Sequence, residues 1–220
     1  MEQWHYDELM TASTSSGSQP RGRIAKQQAV LAAAFTVFTS AGYTQARIDD
    51  IAAAAGVAKA TVYNHFSDKE TLFREAVRAL SEAALAANLA AVEQLADTGD
   101  GIAATLRSVG TRLAACYCAP ESRAMRRLIS AEAERFPDLL DIVDGVSRRV
   151  IEALADRLAR LSLAGTLGIV DPDLAAVQFT SLLTGPLEIR YRLGMEPVPD
   201  TELAVVAEAA VHTFLAAFGP

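Results

Sequence analysis

Cysteine is nearly absent: the 220-residue chain holds two, Cys116 and Cys118. With one residue between them they are too close for an ordinary structural disulfide. No disulfide framework is therefore expected, which fits a reducing cytosol. No second Cys/His cluster accompanies the pair, so no zinc or other metal site is expected. The chain also lacks a basic start followed by an apolar stretch, and any run of about 18 uncharged apolar residues. The expectation is a soluble, cytoplasmic protein. Alternating runs of Val, Ile, Thr and aromatics, the mark of strands, are missing too. No Ser/His/Asp order, glycine-rich phosphate loop or metal-ligand cluster occurs. Glu132 and Glu134 look like an acid pair, but nothing nearby completes a general acid/base site. Neither an enzyme nor a cofactor is expected.

What is abundant is apolar. Hydrophobic residues make up 51% of the chain, too many for a disordered protein. The length suits one large domain or two small ones with a sizeable core. Alanine, the best helix former, comes in blocks such as Ala52-Ala53-Ala54-Ala55. The fold class is all-α, with about nine helices.

The formal charge is −7, which by itself argues against nucleic acid as a partner. The charge is not evenly spread. Residues 1–20 carry three acids and no Lys or Arg, residues 21–78 are net +3, and residues 79–220 are net −7. All three lysines, Lys26, Lys59 and Lys69, fall in the basic segment. A small basic module joined to a larger acidic one is expected.

Residues 1–20 read as a disordered tail, low in complexity over 11–18. A helix over about 23–40 is predicted by the spacing of Val30, Leu31, Ala34, Phe35 and Phe38. Two short helices follow, about 48–55 and 59–65, on either side of Gly56. Ser67 and Glu70 have capping-box spacing and open a long helix through about Leu95. The likeliest domain seam is Thr98-Gly99-Asp100-Gly101. Five helices are predicted beyond it, at about 102–118, 122–135, 139–163, 172–193 and 201–218. Asp171-Pro172 places a capping residue before a proline at the first helical position, and Gly185-Pro186 should kink the helix that follows. The last helix is amphipathic.

The short helices around Gly56 have helix-turn-helix spacing. Ile51 and Val62 can pack between them, Ala52 lets them cross closely, and Gly56 frees the turn. The second helix could then present its N-terminal residues to a major groove.

Three stretches of the chain carry a family signature: Ile48-Asp49-Asp50-Ile51-Ala52-Ala53-Ala54-Ala55-Gly56-Val57, Lys59-Ala60-Thr61-Val62-Tyr63-Asn64-His65-Phe66, and Asp68-Lys69-Glu70-Thr71-Leu72-Phe73. With Ala41-Gly42-Tyr43 before them, they resemble the DNA-binding domain of TetR-family transcriptional regulators over about 50 residues. The stretch from Arg126-Arg127-Leu128 to Phe136-Pro137 resembles the AefR-like C-terminal subgroup. The resemblance implies a DNA-binding domain over 21–78 and a ligand-binding and dimerisation domain over 79–220.

It also implies roles for single residues. Thr61 and Tyr63 match phosphate-contacting hydroxyls, and Lys69 a phosphate-contacting lysine at a helix N-terminus. Ala58, Lys59, Ala60 and Asn64 match positions facing base edges, with His65 on the same helix. Arg21 and Arg23 could form a minor-groove arm. Two departures stand out. Ala46-Arg47 replaces a Thr/Ser cap that also touches phosphate, leaving Arg47 to make that contact. Ala58 replaces a capping Ser.

The implied function is a ligand-responsive regulator, a repressor, bound as a homodimer to a palindromic operator. The last two helices, about 172–193 and 201–218, would pair between subunits, and a small hydrophobic or amphipathic effector would release the DNA. Leu113, Cys116, Tyr117, Met125, Phe179, Leu183 and Tyr191 are the candidate pocket residues. Arg123, Arg126 and Arg127 read as a solvated or salt-bridged face. The rival readings are a helical adaptor that binds protein only and an uncharacterised helical enzyme.

Overall fold

A computed structural model describes residues 18–191 and 196–219. Most of the predicted tail, residues 1–17, and the predicted end of the helix over 172–193 lie outside the described residues. Nine α-helices and one 3-10 turn make up the described residues, with no strand among them. They are α1 (Ser18–Gln45), α2 (Ile48–Ala54), α3 (Lys59–His65), α4 (Lys69–Glu93), the 3-10 turn (Gln94–Ala96), α5 (Ile102–Cys118), α6 (Pro120–Glu132), α7 (Asp138–Leu163), α8 (Pro172–Arg190) and α9 (Asp200–Phe218).

Several boundaries differ from expectation, for local reasons. α1 starts earlier than residue 23, so Arg23 sits inside a helix rather than ahead of it. The side chain of Arg21 lies outside the described residues. The helical angles of α1 break at Gly42, with φ 75° and ψ 161°. α4 is capped by Asp68, not Ser67: Asp68 Oδ1 accepts from the Thr71 amide at 2.7 Å. Ser67 Oγ instead bonds the Asp68 carboxylate and the Thr71 hydroxyl, both at 3.1 Å. A carboxylate at that position serves the same orphan donor and adds favourable charge to the helix end. The Asp171 cap forms as predicted, Oδ1 accepting from the Leu174 amide at 3.0 Å. α8 continues through Pro186 as one helix.

The chain forms two compact units, and the division falls within α4 between Ala83 and Ala84, not at Thr98–Gly101 or after residue 78. The first unit also contains Leu128–Leu139. Its core is aromatic. Phe73 meets Phe38, Tyr43 and Phe136 at centroid separations of 4.9, 5.0 and 5.1 Å. Phe136 also meets Tyr43 edge-on at 4.8 Å. Edge-to-face pairs at these distances add to the stabilisation from burial alone. Arg74 lies over Phe136 and bonds both Glu70 and Asp138, so α4 and the start of α7 are tied around the ring.

The second unit is built on α5, which packs against both α8 and α9. Gly110 allows the close approach: a Cβ there would stand 3.2 Å from Leu183 Cδ2 and 3.4 Å from Phe179 Cζ. Leu106, Val109, Leu154, Leu158, Phe179 and Phe214 fill this core. α9 is long and apolar enough to cross a membrane by length and composition. Its stripe of Leu203, Val206, Ala207, Ala210, Val211 and Phe214 is buried.

Phe136→Ala should cost the first unit roughly 3–5 kcal/mol, because the ring is only 1% exposed and four aromatic and cationic groups rest on it. Thermal unfolding read by circular dichroism checks this, with Phe136→Leu expected to lose much less.

Candidate nucleic-acid interface and apolar cavity

α2 ends in a turn with a specific hydrogen-bond pattern. The Val57 amide donates to the Ala52 carbonyl at 3.0 Å and the Gly56 amide to the Ala53 carbonyl at 3.1 Å. Gly56 sits at φ 65°. This is the two-bond glycine stop of a helix, in which an L side chain would be strained. Ile51, Ala52 and Val62 are buried between the short helices. The opposite face of α3 is open: Ala58, Lys59, Ala60, Tyr63 and Asn64 are exposed, while Thr61 and His65 are partly so. Tyr63 is 49% exposed despite its large ring. The two predicted cap losses hold, since neither Arg47 nor Ala58 makes a side-chain cap bond.

Electrostatics adds two features that were not anticipated. Asp49, in the first turn of α2, pairs with Lys59 at 2.9 Å and with Arg47 at 3.7 Å. Two candidate DNA cations therefore share one exposed carboxylate. The Lys59 hydrogen bond holds the Asp49 carboxyl below its ordinary range, and the same bond raises Lys59. Lys69 is half-buried: its Nζ donates to the Thr44 carbonyl at 3.1 Å and lies 4.7 Å over the Tyr43 ring. Burial, with Arg135 nearby, lowers its pKa. Arg135 stacks on the same ring, 4.5 Å from its centroid. Nothing in the spacing of the sequence pairs residue 49 with residue 59 across a turn, or brings Arg135 to Tyr43.

The second unit encloses a cavity of about 310 Å³, within the size range of small-molecule sites. Of the candidate pocket residues, Leu113, Cys116, Tyr117, Met125 and Leu183 line it. Phe179 and Tyr191 do not. Phe179 is wholly buried in the core against Phe214, 5.0 Å away, and Tyr191 packs near Leu187, Leu203 and Val206 at the end of α8. The sequence reading missed Asn88, Arg126, Thr180, Thr184 and the α7 face of Val143, Val146, Ser147, Val150 and Ile151. That face follows helical 3–4 spacing and could have been found from it.

Arg126 is no solvated surface charge. It stacks 4.0 Å over the Tyr117 ring, and Nη1 donates to the Tyr117 carbonyl at 2.8 Å. The Tyr117 hydroxyl bonds Glu188, and burial together with that bond pushes its pKa up to about 12. Burial raises both cysteine thiols, which leaves them protonated and poor nucleophiles at neutral pH.

A short helix pair with an open second helix, joined to a helical unit with an apolar cavity, points to a helix-turn-helix DNA-binding regulator. Family models match over residues 30–76 (bacterial regulatory proteins, tetR family) and 104–220 (AefR-like transcriptional repressor, C-terminal domain). The chain belongs to the TetR family of transcriptional regulators, with an AefR-like C-terminal domain. A TetR-family regulator structure from Mesorhizobium loti MAFF303099 superposes with a TM-score of 0.82 at 29% identity, covering 90% of this chain and 98% of that one. The flavonoid-responsive regulator FrrA matches with a TM-score of 0.65 at 30% identity, covering 89% and 97%. The HTH-type transcriptional regulator RutR of Escherichia coli K12 is 27% identical over 162 residues, 74% of each chain. All three are regulators by name.

In Lys59→Ala, the Asp49 titration midpoint should move up toward the ordinary aspartate value, as read by carboxyl-carbon NMR. The sign follows from the depressed folded-state pKa. The pairing contributes above the ordinary aspartate pKa and is lost as pH falls through the lower folded value.

Proposed function

We propose that this regulator binds a palindromic operator as a homodimer through α3, and that occupation of the second-unit cavity releases it. The observation that carries the DNA reading is the open face of α3 beside Gly56, rimmed by cations. Lys59 and Asn64 would face base edges, with Ala58 and Ala60 allowing close approach. Thr61, Tyr63, Arg47 and Lys69 would contact phosphates, and His65 would lie at the rim. Lys69 must leave Thr44 to reach a phosphate, or hold the N-terminus of α4 toward it. Asp49 would give up Lys59 and Arg47 as phosphates replace it. The site of action is the cytoplasm, where the DNA is.

Dimerisation through α8 and α9 is supported by their uncovered apolar residues: Leu174, Val177 and Ile189 on α8, and Val205 on α9, are all exposed in the single chain. A two-fold pairing of the same faces would cover them. Release is supported by the path of α6. This helix carries Met125 and Arg126 at the cavity, and its residues from Leu128 on belong to the DNA-binding unit. An effector that fits one position of α6 better than another biases both.

Fluorescence anisotropy against the promoter DNA of the chain's own gene tests the DNA reading. Salt-dependent binding is expected, and no binding at low salt overturns it. Tyr63→Phe and Lys69→Ala should weaken binding about equally across sequences, whereas Asn64→Ala should change sequence preference. Asp49→Asn should raise affinity and steepen the salt dependence, because it removes an acid that competes with phosphate. Light scattering tests the assembly. The wild type should have the mass of a dimer, and Val177→Glu should shift it toward monomer.

A further inference from the structure

Arg126 is the only charged residue lining the cavity among the described residues. Nη1 and the flat face of its guanidinium are occupied by Tyr117. Nη2 is buried and has no hydrogen-bond partner among the described residues. Nor does Arg126 join any of the ion pairs among them. Glu188 acts on it at longer range, but its carboxylate is already held by the Tyr117 hydroxyl. An arginine stays charged at neutral pH even when burial lowers its pKa. A buried cationic donor without an acceptor is costly, and natural proteins keep few of them. The remaining wall is apolar, apart from hydroxyls and one amide. Among these, Thr180, Thr184 and Asn88 already donate within their own helices.

We propose that the cavity takes an apolar or aromatic carboxylic acid, its body against Leu113, Met125, Val150 and Leu183 and its carboxylate on the Arg126 guanidinium, which turns its unpaired Nη2 toward it. The proposal rests on reading this cavity as the effector site. A cationic ligand is disfavoured because no acid among the described residues lines the cavity to receive it. A dianion would outnumber the single positive charge. A neutral acceptor would satisfy the hydrogen bond but leave the buried charge uncompensated. A monoanion with an apolar body meets both needs, and a planar carboxylate matches the guanidinium geometry.

The test is calorimetric titration of the full chain without DNA. The probes are 1-naphthoate, 4-phenylbutyrate and octanoate, each beside its primary amide and its ammonium analogue. At least one acid should bind roughly ten- to a hundredfold tighter than its amide, the range set by a charge-assisted hydrogen bond. Arg126→Gln should bring that acid down to the level of its amide, and Arg126→Lys should keep part of the preference. Amides that bind as well as the acids, ammonium analogues that bind better, no binding by any acid, or an acid preference that survives Arg126→Gln each overturn the proposal. Should Arg126→Gln fail to fold, the wild-type comparison of acid, amide and ammonium decides alone. A parallel anisotropy measurement separates the two readings. An acid that binds through Arg126 without loosening the DNA complex upholds the ligand class and overturns the effector role.

Discussion

The packing of Phe73 among Phe38, Tyr43 and Phe136 is the contact on which the first unit depends. The two short helices of the DNA-binding face bury few side chains of their own: Ile48, Ile51 and Ala52 from α2, and Val62 from α3. So little apolar area cannot hold a seven-residue helix in place. α3 packs on α2 and α1, and α1 is in turn fixed to α4 through this aromatic group. Tyr43 has a second task there. One end of its ring system sits in the core, and its face carries Lys69 and Arg135. A residue that reads as a core aromatic thus also sets the position of a candidate phosphate cation.

Phe136 widens the meaning of that core. It comes from a part of the chain that, by sequence order, belongs to the ligand domain, yet it packs in the DNA-binding unit. Arg74 reinforces the attachment by bonding Asp138 at 2.7 Å and stacking on Phe136. The hydrogen bonds to Asp138 and Glu70 outweigh the small desolvation of Arg74 and raise its pKa. These ion pairs are largely exposed, so their contribution to stability is modest and falls with salt. The apolar contact does most of the holding, and the charges fix its geometry.

Helix content, helix number and the turn at Gly56 were legible because they rest on short-range rules: alanine propensity, 3–4 spacing, and glycine at a left-handed position. Long-range partners were not legible. Thr98-Gly99-Asp100-Gly101 carries every local sign of a break, whereas the two compact units divide in the middle of α4, where the local pattern is unbroken helix. Ser67 was preferred to Asp68 as the cap because both types suit the position, and only geometry decides which carboxylate or hydroxyl reaches the Thr71 amide. At the cavity, five of seven predicted residues line it. The exceptions, Phe179 and Tyr191, were chosen for aromatic character, and that same character suits a close-packed core as well as a ligand wall. By sequence alone Arg126 reads as surface charge, because three arginines within five residues usually are. Its neighbour Tyr117, nine residues earlier on another helix, is what draws it inward.

Charge ties these parts together. A chain of net −7 repels DNA at long range, so non-specific affinity is held low. Discrimination would then fall on the proposed contacts at α3, and the cations among the candidates are themselves held within the chain: Asp49 holds Lys59 and Arg47, and Thr44 holds Lys69. On the proposed contacts, DNA would displace those internal partners, which would subtract from affinity for any sequence and be repaid only where the base contacts also form. The cavity shows the inverse arrangement. There Arg126 Nη2 is buried with no hydrogen-bond partner among the described residues, and in the proposed site an anionic occupant would supply one. An occupant that does so better in one position of α6 than in another has the differential affinity that a switch requires, and the size of that difference bounds how far operator occupancy can move.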